Sequence, residues 1–179
     1  FKSEKIQIEA TSFTVSEPVS TYTIEPLIYK YALDNEKKIL KEKYNISEFN
    51  IEIMKLERIF IDKIFAAEFY YERAMYEDVS KHLYDISIMI KNDDIKEMLK
   101  SKQELNKLIS YKRKEEESRL GGIASNKKIK DFDYMKLRFN DELIIAFDKM
   151  QRIYVLDDKS MLTINDVENT IKILLEIFK

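Results

Sequence analysis

The sequence contains no cysteine, only two glycines and only two prolines among its 179 residues. Without cysteine the chain can form no disulfide and offers no thiol to a substrate or a metal, which is compatible with a reducing cytoplasm. With so few turn-forming residues, long helices should dominate, and an all-β fold is disfavoured. No apolar run reaches the ~18 residues of a membrane span, and the sequence shows no signal-peptide pattern. We therefore expect a cytoplasmic protein that makes no contact with a membrane.

Charge is balanced rather than one-sided. The chain has 31 basic and 33 acidic residues, a formal net charge of −2. No global basic field favours nucleic acid, so any contact with a nucleic acid would have to be local. Hydrophobic residues make up 45% of the chain and charged residues 36%, a composition typical of a globular protein rich in exposed helix.

The first third of the chain predicts a small β element. Residues 5–15 and 49–54 alternate apolar and polar side chains, which predicts two strands. Between them, residues 25–44 have a helical pattern that opens with Pro26. Two strands alone cannot bury a face stably, so we expect them to belong to a larger sheet with strands upstream of Phe1, and the chain to be part of a longer protein.

Helical periodicity dominates the remainder, so the predicted fold class is mainly α with a small β element (α+β). Thr163 or Asn165 is expected to cap the last helix. Both glycines fall in the predicted loop at 120–126. The predicted helices are residues 57–73, 79–91, 95–118, 142–154 and 165–178.

Two charged residues occupy positions where charge is costly. At helical spacing Lys63 shares a face with apolar neighbours, and Asp85 precedes Ile88 and Met89 by one turn. An unpaired buried charge costs several kcal/mol, so each side chain needs a partner or a ligand. The residues alone leave three alternatives open: a structural ion pair with each other or with Asp62, a lysine that extends to solvent, or a functional site.

Short motifs spread along the chain resemble those of AbiEii/AbiGii toxin nucleotidyltransferases. In this family an acidic-Lys pair lies in an apolar helix, and a helix reading roughly Arg-Asp-Leu-Tyr-Asp-Leu follows. Lys63 and Asp85 match the two motifs and are separated by 22 positions, similar to the family spacing. The matching segments are Asp62-Lys63-Ile-Phe-Ala-Ala67, Lys81-His-Leu-Tyr-Asp-Ile86, Ile6-Gln-Ile-Glu9, Phe147-Asp-Lys-Met150 and Ser160-Met-Leu-Thr-Ile-Asn-Asp166.

The sequence departs from the family pattern in two places. Lys81 and His82 stand where Arg and Asp are usual. The family hallmark, a Gly-Ser followed by an Asp-x-Asp pair, does not occur; the only glycine pair, Gly121-Gly122, has no acidic pair after it. We therefore expect this polypeptide to be inactive by itself.

The resemblance implies transfer of a nucleoside monophosphate from an NTP to an RNA acceptor such as tRNA, with Mg²⁺ as the metal. It implies that Lys63 contacts the nucleotide phosphates, that Asp85 orients Lys63, the acceptor or a metal-bound water, and that Glu9 is a metal ligand. It further implies a nucleotidyltransferase remnant at residues 1–56, a helical domain at residues 57–179, and an antitoxin as a possible partner.

Two rival hypotheses make different structural predictions. A non-catalytic helical interaction module would seal Lys63 and Asp85 in a buried pair without an adjoining pocket. A purely structural domain would place them on different sides of the fold. The single histidine, His82, is expected to be a helix-surface residue. The tyrosines near it are expected to pack, although base stacking is an alternative.

Overall fold

The computed structural model describes residues 18–179 of the chain. Within them the chain divides into two compact units, residues 18–55 and residues 56–179. Together they hold eight α-helices and one two-stranded sheet, which confirms the predicted mainly α class. The strand predicted at residues 5–15 and the candidate metal ligand Glu9 lie outside the described residues. The division into a catalytic remnant and a helical domain stays a prediction.

The first unit is an antiparallel strand pair with two helices between the strands. Strand β1, Val19–Ile24, pairs with β2, Phe49–Met54, in a register that joins Val19 to Met54 and Ile24 to Phe49. The prediction of β2 is confirmed. Strand β1 was not predicted, although its sequence VSTYTI is rich in β-branched residues.

The helix predicted at residues 25–44 is wrong in its continuity. The structure has a single-turn helix α1, Leu27–Lys30, followed by α2, Asp34–Tyr44. The break falls at Leu33, whose extended backbone leaves its N–H free to donate to the Glu36 carboxylate at 2.8 Å. An acidic side chain at this position satisfies a backbone donor at the helix start.

Residues 18–55 bury none of their side chains fully. The large hydrophobic residues of this unit that lie exposed are Tyr22, Ile24, Leu27, Ile28, Tyr31, Leu33, Ile39, Tyr44, Phe49, Ile51 and Ile53. This fits the physical expectation that two strands cannot enclose a core. The larger sheet inferred from the sequence stays a prediction.

The second unit contains six helices around one hydrophobic core. Helices α3 and α4 pack along each other and bury Phe60, Ile64, Phe65, Val79 and Leu83 almost completely. The predictions of α3, α4, α7 and α8 are confirmed. The six helices are α3, Leu56–Tyr71; α4, Tyr76–Met89; α5, Asp93–Lys100; α6, Lys102–Ser118; α7, Asp141–Tyr154; and α8, Ile164–Ile177.

The single long helix predicted at residues 95–118 is also wrong, because Ser101 interrupts it. Ser101 has an extended backbone, and its hydroxyl accepts a hydrogen bond from the Glu104 N–H at 3.3 Å. Serine is a favoured N-cap because its side chain satisfies an otherwise unpaired donor. The interruption ends α5 and starts α6 within one residue, which turns the chain between the two helices.

Thr163 caps α8, which confirms one of the two predicted caps. Its hydroxyl accepts from the Asp166 N–H at 3.2 Å, and the Asp166 carboxylate accepts in return from the Thr163 N–H at 2.7 Å. The loop predicted around the glycines is confirmed as well. Gly121 has a φ of +70°, and a Cβ on Gly122 would lie 2.1 Å from the Glu116 carbonyl oxygen, so both positions require glycine.

Arg58 is the largest fully buried side chain of α3, and the sequence analysis did not single it out. Its guanidinium forms an ion pair with Asp62 one turn on and with Glu115 of α6 at 2.6 Å. Lys112 lies beside them, with its ammonium 2.8 Å from the Glu116 carboxylate. This network fastens α6 to α3, since a buried guanidinium without carboxylate partners would be strongly unfavourable.

Replacing Arg58 should destabilise the protein more than the loss of an exposed ion pair would. In Arg58→Ala the carboxylates of Asp62 and Glu115 lose their main partner, so we expect the free energy of unfolding to fall by about 3 kcal/mol or more. Urea unfolding measures this loss. The matched control is Lys100→Ala, which removes an exposed pair with Glu97 and should change stability little. Equal losses in the two variants would show that Lys112 alone neutralises the buried carboxylates.

Candidate functional site

The two predicted catalytic residues meet in the second unit. Lys63 lies on α3 and Asp85 on α4, and the packing of these helices brings the Lys63 Nζ to 2.6 Å from the Asp85 carboxylate. Their side chains are 29% and 37% exposed. The pair is thus neither sealed in the core nor split between two sides of the fold. A partly exposed ion pair leaves its charges accessible to a ligand.

A cavity of about 540 Å³ opens beside Asp85. One wall is the α4 segment with Lys81, Tyr84 and Asp85, and the other is the end of α7 with the chain that follows it, including Tyr154 and Leu156. Its volume lies in the range of small-molecule sites. Asp85 therefore contacts Lys63 on one side and lines a ligand-sized space on the other.

His82 adjoins the pair, and its predicted place on the helix surface is wrong. The imidazole is half-buried and stacks on Tyr70, with ring centroids 5.3 Å apart and planes inclined by 18°. The pKa of His82 is lowered to about 4, mainly by burial and then by the nearby Lys63 ammonium, while the carboxylates of Asp85 and Asp78 act in the opposite direction. At neutral pH the ring is uncharged and does not compete with Lys63 for Asp85.

A second ionic cluster joins α3 to the chain after the glycine loop. Carboxylate oxygens of Glu68, Glu72 and Asp133 come within 4.8 Å of one another. The Lys127 ammonium contacts all three, at 2.7 Å from Glu72 and 2.9 Å from Asp133. Burial alone would lower the pKa of Lys127, but the hydrogen bonds to these carboxylates outweigh it and raise that pKa.

The cluster around Lys127 is structural. The fully buried Glu68 carboxylate also accepts from the backbone N–H of Asp133 at 2.8 Å, so it holds the loop onto α3. Sequence reasoning missed the cluster because Lys127 lies far along the chain from Glu68. The Lys127 ammonium lies among the three carboxylates and offsets one of their negative charges, so a divalent cation would have to displace it.

The comparisons with known proteins give the family of the chain. The profile described as "Nucleotidyl transferase AbiEii toxin, Type IV TA system" matches residues 2–159. No curated protein and no solved structure matches the sequence significantly. The helical fold with its accessible Lys–Asp pair thus has a defined family context: the chain belongs to the AbiEii family of toxin nucleotidyltransferases.

Nucleotidyltransferases in general use Mg²⁺ and an NTP, with metal ions held by acidic side chains. Among residues 18–179, the one group of three carboxylates within metal-binding reach is the cluster around Lys127, where the ammonium takes the place that a cation would need. Asp85 belongs to no such group of three among the described residues. No helix among residues 18–179 is long and apolar enough to cross a membrane.

The neutral state of His82 should make stability depend on pH. Its pKa in the folded protein, about 4, lies below the ordinary value of 6.5, so between these values the unfolded chain binds more protons. Stability is then complete above about pH 6.5 and declines as the pH falls toward 4. At pH 5 we expect the free energy of unfolding of the wild type to be lower than at neutral pH by on the order of 1–2 kcal/mol. His82→Phe, which retains the stacking on Tyr70, should not show this loss.

Two measurements check this dependence. Urea unfolding at pH 7.5 and pH 5 gives the difference in stability loss between the wild type and His82→Phe. Because His82 is the only histidine, its ring protons give one NMR titration curve. As the pH is lowered, the curve should show an uncharged ring down to about pH 4. An inflection near pH 6.5 would contradict the burial that lowers the pKa.

Proposed function

We propose that this chain supplies Lys63 and Asp85 to the active site of a nucleotidyltransferase that transfers a nucleoside monophosphate from an NTP to an RNA acceptor. The observation that carries the proposal is the half-buried pair, 2.6 Å from ammonium to carboxylate, beside a ligand-sized cavity. Membership of the AbiEii family supports the reaction class. The RNA acceptor, for which tRNA is a candidate, and a cognate antitoxin as partner are parts of the proposal, as is a cytoplasmic location.

In this proposal Lys63 binds the phosphates. An ammonium is a compact cation with three donors, and phosphoryl transfer depends mainly on positioning and on neutralising charge that develops on phosphate oxygens. Lys63 extends from a helix whose apolar faces are packed, so its stem is held while its end stays partly in solvent. It can therefore donate to a phosphate oxygen without losing its contact with Asp85.

Asp85 positions that ammonium. Its carboxylate lines the cavity and holds the Lys63 Nζ at 2.6 Å, and the uncharged His82 beside it leaves this contact undisturbed at neutral pH. Glu9 is proposed as a metal ligand on the resemblance alone. Since this sequence lacks the Gly-Ser and Asp-x-Asp motif, we expect the chain to bind an NTP without completing the transfer by itself.

A second candidate function is a non-catalytic interaction module. The observation that favours it is the set of exposed hydrophobic side chains in residues 18–55, among them Tyr31 and Leu33 at 77% and 67% exposure. Exposed apolar surface of this kind is typical of a protein–protein contact. Such a module would require no affinity for nucleotides, which separates it from the first candidate.

Lys63→Ala and Asp85→Asn test the first candidate. Loss of the Lys63 ammonium removes a charge-assisted contact with phosphate, so we expect NTP affinity to fall at least roughly tenfold. Asp85→Asn should have a smaller effect, because the lysine remains but is less well oriented. Isothermal titration with each NTP in the presence of Mg²⁺ measures both affinities.

The matched control is Lys149→Ala. Lys149 forms an exposed pair with Glu77 at 2.9 Å that also joins two helices, so its loss removes the same charge from a different place. Equal NTP affinity of Lys63→Ala and the control would refute the role of Lys63. A wild-type protein that binds no NTP would instead favour the interaction module.

A further inference from the structure

The cavity beside Asp85 has walls of mixed aromatic, aliphatic and polar character. Tyr84 and Tyr154 supply aromatic surface, Leu156 supplies aliphatic surface, and Asp157 and Ser160 supply polar groups. A site built in this way suits a planar aromatic ligand with polar edges. Asp85 is the one lining residue that also belongs to the proposed active site.

Two of the lining residues expose apolar surface without any packing role to account for it. Tyr154, the last residue of α7, is 63% exposed, and Leu156 is fully exposed. The Lys81 ammonium lies 5.7 Å from the centre of the Tyr154 ring, a favourable contact that steadies the ring from one face. We expect a ligand to stack on the part of the ring that stays exposed.

The far wall of the cavity is held in place by hydrogen bonds. The buried Gln151 side chain accepts from the Leu162 N–H at 2.6 Å and donates to the Leu162 carbonyl at 3.0 Å. The Tyr84 hydroxyl donates to the Ser160 carbonyl at 3.1 Å. These bonds tie the chain after α7 back to α7 and α4, so the cavity exists before any ligand arrives, which reduces the cost of binding.

We propose that this cavity is a nucleoside subsite, in which Tyr154 stacks on the base while the phosphates reach Lys63. The inference rests on the proposed function and deepens it by assigning the base. Stacking suits a base because every base has a flat π-face, and Asp157 and Ser160 can meet its polar edge. The nucleotide is either the NTP or the terminal nucleotide of the RNA acceptor, which share this chemistry.

The test compares Tyr154→Ala with Tyr154→Phe. The phenylalanine retains the ring, whereas the alanine removes it, so we expect about a tenfold or greater loss of affinity in Tyr154→Ala and near wild-type affinity in Tyr154→Phe. The matched control is Ile145→Ala, since Ile145 lies on the same helix, is 66% exposed and does not line the cavity. It should bind like the wild type.

Three probes separate the sources of the base: the four NTPs, inorganic triphosphate, and a short single-stranded RNA with a free 3′ hydroxyl. A loss in Tyr154→Ala confined to the NTPs places the NTP base in the cavity, and a loss confined to the RNA places the acceptor nucleotide there. Losses for both show that the cavity accepts either. Affinity for inorganic triphosphate, which has no base, should remain unchanged in Tyr154→Ala.

The outcomes also separate this inference from the proposed function. If Lys63→Ala weakens NTP binding while Tyr154→Ala binds every probe like the wild type, the nucleoside subsite is overturned and the proposed function stands. An equal loss in Tyr154→Ala and Tyr154→Phe would likewise overturn stacking. A wild-type protein that binds neither NTP nor RNA would overturn both.

Discussion

The packing of α3 against α4 is the interaction on which the rest of the second unit depends. It buries the apolar faces of both helices, and it also determines which charged side chains are buried in the core. Arg58 and Glu68 of α3 are fully buried, a position that is tolerable only with partners. Each therefore forms an ion pair with another part of the chain: Arg58 contacts Glu115 of α6, and Glu68 contacts Lys127 after the glycine loop.

Lys63 lies between these two residues on the same helix but in a different environment. Arg58 and Glu68 are enclosed by partners from other elements, so their charges stabilise the fold and are not accessible to a ligand. The pair of Lys63 and Asp85 stays partly in solvent and adjoins a cavity. A pair that stays partly in solvent contributes little to stability, so its charges can serve a ligand. This contrast, rather than the mere presence of charge, distinguishes the candidate site.

The cavity depends on elements that are distant in sequence. One wall comes from the end of α7 and the chain after it, and the other from α4, more than sixty residues earlier in the chain. Gln151 and Tyr84 hold the two walls at a fixed separation through bonds to the backbone around Leu162 and Ser160. Sites formed in this way are rigid because their supporting contacts belong to the fold itself.

The sequence by itself determined most helices, the second strand and the Thr163 cap, because periodicity and capping residues are local signals. It marked Lys63 and Asp85 as charges that need a partner or a ligand, but it did not decide which. It left two breaks unrecognised, at Leu33 and Ser101, where a single side-chain hydrogen bond outweighs helical periodicity. Only the tertiary structure decided which charges are buried and that Tyr154 faces a cavity beside Asp85. Those properties arise from contacts between distant segments, and no local pattern encodes which segments meet.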